Sequence, residues 1–163
     1  VQPDAAPVPG RPAAATRPDP AYAGLVTRSM GLAVDVALLT LVCLTVGALP
    51  ATAWQAVLGT PPGWLSGASA VAAGQVPWLY FALCWWITGQ TAGGVLMGEW
   101  VRRPDGGRLS PWRAAARSLV GLALAPVWMV GLLATLTDPR RRAWHDRAFG
   151  TVVRRERRAA GAD

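Results

Sequence analysis

Apolar positions in this chain come in long unbroken blocks, not in the alternation of a half-buried strand or the spaced stripe of a surface helix. From Val36 to Gly98 there are 63 consecutive residues without a charge. A helix that is apolar on every side belongs in lipid or deep inside a large protein, and a chain of 163 residues has no such interior. The first membrane span is predicted from about Ser29 to Leu49, with Asp35 as its one charge and Pro50 as its end. About 20 apolar residues cross a hydrocarbon core of ~30 Å. Residues 50–67 follow as an uncharged loop with three prolines, in which Trp54 and Trp64 suit an interfacial belt. The second span is predicted from about Ala68 to Thr88, kinked at Pro77, with Trp85 and Trp86 at the interface of its inner end. A third apolar stretch, Ser118 to Thr137, has Pro126 near its centre and Gly121 and Gly131 to either side.

Between the second and third blocks the pattern changes. Residues 95–110 read VLMGEWVRRPDGGRLS, two short runs around Asp105-Gly106-Gly107. Asp-Gly between such runs favours a hairpin turn, and the β-branched GTVVRR at 150–155 could add a third strand. The predicted fold is an α-helical membrane protein. It has two transmembrane helices, a proline-broken third hydrophobic segment (re-entrant or a third span), and a small cytoplasmic β-hairpin or sheet. Residues 1–20 hold six prolines, lack periodicity and are predicted to be a disordered tail. Residues 21–155 form the membrane domain, and 156–163 a basic C-terminal tail. The first apolar run begins too late and is too long for a cleaved secretory signal.

Charge sets the orientation. All sixteen basic residues are arginine, and the net charge is +7. The arginines flank apolar segments, so anionic lipid headgroups are their expected counter-charge and nucleic acid is not an expected partner. Basic residues accumulate in cytoplasmic loops. Arg11, Arg17 and Arg28 precede the first span, and Arg102, Arg103, Arg108, Arg113 and Arg117 follow the second, while residues 50–67 carry none. The N-terminus is therefore expected on the cytoplasmic side of the membrane, in a multi-pass arrangement. Eight arginines follow the third stretch. A straight crossing would put all eight outside, so the charge rule favours a stretch that Pro126 breaks and returns, leaving the C-terminus cytoplasmic. Non-helical backbone at that depth must then be covered by the first two helices.

Little enzymatic chemistry is visible. The two cysteines, Cys43 and Cys84, lie in different predicted spans, on the order of 15 Å apart in depth, beyond disulfide reach. They read as packing residues. One histidine and no CxxC leave no metal-ligand spacing, and the glycines of TGQTAGG (88–94) lack the phosphate-loop pattern. No nucleophile sits beside a base. No enzyme activity, cofactor or metal is expected.

Two charged constellations stand out. Arg28 and Asp35 are seven residues apart, two helical turns, so they share a face, with Asp35 about 10 Å deeper. A carboxylate at that depth costs about 2.5–3.5 kcal/mol and must be paired, protonated or wet. It is a functional candidate by default, weighed against a structural ion pair with Arg28, Arg113, Arg117 or Arg147. Asp35, Arg28, Arg117 and His145 together form a candidate ion or proton site. The second constellation is His145-Asp146. A His beside an Asp could relay protons. Adjacent residues on a helix do not face each other, however, and Asp146 reads more simply as a cap or an anchor for an arginine.

These residues together resemble the RDD family of bacterial membrane proteins. Arg28, Asp35 and Asp146 match its signature arginine and two aspartates. Similar too are Tyr22-Ala23-Gly24, Gly89-Gln90-Thr91, Gly98, Asp105-Gly106, Arg117, and His145-Asp146 followed by Gly150-Thr151-Val152-Val153. The resemblance covers about residues 21–155. One position departs: the family reads G-x-T-x-G-K, and Gly94 stands where the lysine is expected. The resemblance implies transport of ions or small ligands, or an accessory role in larger systems, which in actinobacteria include lipid importers of the mammalian-cell-entry type. Two functions follow as expectations. One is an accessory or structural subunit of a membrane transport assembly, with other membrane proteins or further copies of this chain as partners. The other is an oligomeric ion or proton-coupled transporter with Asp35 as the titrating carboxylate.

Overall fold

The computed structural model describes residues 22–155. The predicted tails, 1–20 and 156–163, lie outside the described residues. Two long helices dominate. Helix α1 (Leu25–Leu58) has 34 residues and α2 (Gly63–Ile87) has 25, and both are long and apolar enough to cross a membrane. At 1.5 Å per residue α1 is about 51 Å long, well beyond the hydrocarbon core.

Pro50 was expected to end the first span, but α1 runs through it for two more turns. A proline removes one backbone hydrogen bond, and apolar backbone in lipid has no alternative to the helix. The side chain of Thr52 donates to the Ala48 and Leu49 carbonyls beside it. The stop comes at Gly59, whose φ of 85° turns the chain. The connection predicted over 50–67 thus shrinks to 59–62. Pro77 likewise lies inside α2. Its missing N–H frees the Ala73 carbonyl, and the Cys43 thiol of α1 donates to it at 3.5 Å. Gly47 faces Ala73 at the same level. The proline therefore marks a point of close α1–α2 contact. Both cysteines are free and half-buried.

After α2 the chain turns at Gly89 (φ 81°) into the short helix α3 (Ala92–Met97). Thr91 caps it, its hydroxyl accepting from Gly94 N at 3.0 Å, and Gly98 in the left-handed region closes it. This corrects the hairpin prediction. Residues 95–97 are helical, and RLS forms no strand. Asp105-Gly106-Gly107 does turn the chain, with Gly106 at φ 86°, but it joins no strand pair. The small antiparallel sheet instead pairs β1 (Glu99–Arg102) with β2 (Val152–Arg155), in the register Val101 to Val153. Tyr22 bridges Arg154, and Ala23 N donates to Val153 O at 3.0 Å. Around them Ala23, Val101, Leu109, Ala114 and Val153 form a compact core, with Trp85 against it.

The third hydrophobic stretch is broken. Helix α4 (Pro111–Ala123) and the segment Ala125–Leu136, made of α5 (Ala125–Gly131) and a 3-10 turn, meet at 101°. Leu124, two residues before Pro126, leaves the helical region (φ −112°, ψ 33°). Gly121 makes the bend sterically possible. A Cβ there would stand 2.8 Å from the Trp128 ring, which lies across it. The last helix is α6 (Trp144–Ala148). The segment entering α1, the strand following α2 and the strand following the third stretch are therefore hydrogen-bonded together at one end of the molecule.

Candidate functional site

Asp146 lies under this sheet, with no exposed surface. Helix α6 holds it at the third helical position, where its Oδ2 accepts from Ala143 N at 3.1 Å. Two arginines from distant elements converge on it. Arg28, in the first turn of α1, places Nη1 2.5 Å from Oδ2, and Arg117 of α4 places Nη2 2.9 Å from Oδ1. Both arginines are buried. Each nitrogen of Arg28 donates, the other two to Ala23 O (3.2 Å) and Arg141 O (2.8 Å). Arg141 adopts a φ of 47°, rare for a residue with a side chain, and its carbonyl accepts from Arg28. Arg117 also donates to Thr151 Oγ1 at 2.6 Å, and its guanidinium lies over the rings of Trp85 (4.8 Å) and Trp128 (5.3 Å). Trp85, expected at the membrane interface, is thus drawn into the cluster, whereas Trp86 is exposed.

Burial pushes the Asp146 carboxyl up, but Arg117 and Arg28 outweigh it and hold the group well below the usual carboxylate range. His145 stacks on Trp128 with ring centres 3.8 Å apart. Burial, then Arg117, pushes the imidazole down to about 3 against the opposing pull of Asp146, so it is neutral at physiological pH. Its Nε2 is 3.7 Å from Asp146 Oδ1, beyond hydrogen-bond reach. The proton relay weighed for His145-Asp146 is not assembled, and the anchoring role of Asp146 is what the geometry contains.

Asp35 is held differently from the sequence reading. It shares a face of α1 with Arg28, yet none of the four candidate arginines is its partner. Arg28 and Arg117 bind Asp146, Arg147 binds Asp138 at 2.9 Å, and Arg113 lies over Trp112. Asp35 Oδ1 accepts from Tyr80 OH and from Gly93 N, both at 2.7 Å. Tyr80 in turn accepts from Ala92 N at 2.8 Å. The carboxylate thus caps the N-terminal end of α3 from outside, satisfying donors that a helix start leaves unpaired. This needs close backbones. A Cβ on Gly93 would fall 1.9 Å from Gly31 O, so only glycine fits.

Sequence reasoning missed Glu99. It opens β1, is 9 % exposed, and sits over Gly31. A cavity of about 90 Å³ lies between this residue, Asp35 and the Arg28–Arg117 cluster. The signal was a lone acid between Gly98 and Trp100 in a run otherwise rich in arginine, but strand alternation alone did not say which face was inside. A second, apolar crevice of about 570 Å³ opens beside it between α1, α2 and the bent pair, from Val36 and Cys43 to Gly121 and Met129. Among the described residues no cluster of His, Cys, Asp and Glu has the makings of a metal site.

Compared with known proteins, residues 22–150 match the model of the RDD family. No curated protein and no solved structure matches the chain.

Proposed function

The chain belongs to the RDD family, and from that premise we propose that it is an accessory or structural subunit of a larger membrane transport assembly, without enzymatic chemistry of its own. It is a membrane protein by its family and its apolar helices. The observation that carries the proposal is the use of the charged residues. Arg28 and Arg117 both bind Asp146, and the three tie together the start of α1, the bent third segment and the chain entering the C-terminal strand. Two long helices and a bent pair are few elements with which to enclose a path across a bilayer, and α1 and α2 leave Leu41, Leu44, Leu49 and Val71 exposed for contact with lipid or a neighbouring subunit.

The proposed placement is a bacterial plasma membrane, with both termini cytoplasmic and the third stretch re-entrant. The shared sheet supports it. If α1 and α2 each cross once, Tyr22, β1 and β2 are on one side. The arginines gathered there, with exposed Trp112 and Trp144, suit anionic headgroups on the cytoplasmic leaflet. Single cysteines placed at Arg108 and Arg155, in a Cys43→Ala/Cys84→Ala background, should both resist impermeant reagents in intact cells. Labelling of the second alone would mean that the third stretch crosses.

The test of function is twofold. Mild-detergent purification from native membranes should bring down stoichiometric membrane partners, and the pure protein in vesicles should move no cations. A second reading, the oligomeric transporter, draws on the cavity beside Asp35. Cation flux from pure protein, abolished by Asp35→Asn, would favour it over the subunit reading.

A further inference from the structure

The cavity beside Asp35 contains two carboxyl groups in opposite circumstances. Asp35 has two donors on one oxygen. Glu99 has a buried Oε1 with no hydrogen-bond partner among the described residues. Its Oε2 stands 3.3 Å from where a Cβ on Gly31 would be, so the carboxyl is pressed against the α1 backbone where α3 crosses it. Its main-chain oxygen accepts from Gln90 Nε2 at 3.0 Å. An ionised carboxylate with a buried oxygen that receives no donor is costly in such a place. A neutral acid with cavity water at its O–H is not, and about 90 Å³ holds a few waters.

Among the described residues, the other charged or titratable groups lining this cavity are Arg28 and Asp35 from α1, Arg117 from α4 and His145 from α6, and Asp146 acts on it through the two arginines it binds. Arg155, opposite Glu99 in the sheet, stands exposed at its rim, and Tyr80 of α2 reaches it through Asp35. With His145 neutral, Arg28 and Arg117 balance Asp35 and Asp146. Among the described residues, a charge on Glu99 would stand opposite Arg155, which is exposed to solvent, while both buried arginines are bound to Asp146.

We propose that Glu99 is a group in this cavity that binds and releases a proton. Release breaks the O–H bond of the carboxyl, leaves the electron pair on Glu99 and passes the proton to cavity water. Burial pushes the Glu99 carboxyl up to about 7 against the pull of Arg28 and Arg155, so both states are within physiological reach. The ionised form is a second carboxylate near Arg28, in competition with Asp146. The site does not depend on the subunit reading, since a proton can be bound whether or not it is transported.

The test is infrared difference spectroscopy on the full chain in lipid nanodiscs, following the carbonyl stretch of a neutral carboxylic acid from about pH 5 to 9. The wild type should show a band that falls to about a tenth one unit above its midpoint. Glu99→Gln should lack it, while Asp105→Asn, at an exposed turn, and Asp35→Asn should keep it. If Glu99→Gln does not fold, Glu99→Asp should retain the band at a shifted frequency. No neutral-acid band anywhere in the range would overturn the proposal. So would a band that survives Glu99→Gln and disappears with Asp35→Asn. A midpoint that follows sodium concentration would replace the proton site with a metal-cation site.

Discussion

Replacing Asp146 by Asn tests whether the buried cluster holds the fold together. The side chain keeps its shape and loses its charge. In the wild type its two oxygens receive Arg28 at 2.5 Å, Arg117 at 2.9 Å and Ala143 N at 3.1 Å, and the acid and both arginines are at most 6 % exposed. The amide would turn its NH₂ towards one guanidinium, donor against donor, and leave two buried cations without a counter-charge. Breaking a buried pair by removing one partner costs about 3–5 kcal/mol. Some stabilisation survives, because Arg28 keeps two carbonyls and Arg117 keeps Thr151 and two tryptophan faces. The lower end, about 3 kcal/mol, is therefore expected, a large part of the ~5–15 kcal/mol typical of a domain.

The assay is reversible denaturation in mixed micelles, read by tryptophan fluorescence, with trypsin cleavage at Arg140–Arg142 reporting release of the C-terminal segment. Helices α1 and α2 should stay helical, since lipid and detergent leave their backbone no alternative. The triple change Arg28→Met, Arg117→Met, Asp146→Leu should recover much of the loss, as apolar replacement of a whole buried ion triad often does. The Asp146 carboxyl is lowered in the folded state, so its contribution is full above the unfolded value near 3.9 and is lost as pH falls through the folded value. Acid unfolding should accordingly be steeper in the wild type than in Asp146→Asn. A loss under about 1 kcal/mol would refute the reasoning, because it would mean that the guanidiniums are solvated.

Gly93→Ala should disrupt the α1–α3 contact, because its Cβ would overlap the Gly31 carbonyl; a loss of about 3 kcal/mol or failure to fold is expected in the same denaturation assay. Gly67→Ala, in α2 with open space around it, should be neutral or stabilise by up to about 1 kcal/mol. Tyr80→Phe strips Asp35 of one donor and leaves Ala92 N unpaired, which should cost about 1–3 kcal/mol; no change in the denaturation midpoint would show that water replaces the hydroxyl. Glu99 is raised in the folded state, so wild-type stability should fall as pH climbs from its ordinary 4.5 towards about 7 and then level off. Glu99→Gln should flatten that slope, and an unchanged slope would exclude Glu99 as its source.

The parts of the fold written in hydrophobicity were legible. Two spans, a break near Pro126 and the three signature charges were all apparent in the sequence. What escaped was set by contacts between distant segments. Pro50 reads as a stop by local rules, but the medium keeps α1 helical to Gly59. Residues 95–97 look like strand, but Thr91 and Asp35 together cap a helix there. Asp35 and Arg28 share a face, and helical periodicity alone pairs them. The pairing fails because Arg28, near the helix entrance, meets a carboxylate 118 residues away while Asp35, two turns deeper, meets the backbone of α3.

That exchange of partners also holds the bend of the third stretch. A broken apolar segment must be anchored at both ends, because its interrupted backbone gains nothing from lipid. Arg117, near the middle of α4, anchors the limb before the bend, and Asp146, beyond the limb that follows it, anchors the other. Arg28 fastens both to α1, and Ser118 adds a bond to the Trp78 carbonyl of α2 at 2.8 Å. Trp128 fills the angle of the bend, lying on Gly121 and under His145. The charges that look out of place in an apolar sequence are therefore at the positions where a sharply bent apolar segment has to be held. A bulkier residue at Gly121 would push Trp128 out of that angle and loosen the grip on Arg117 without touching a single charge.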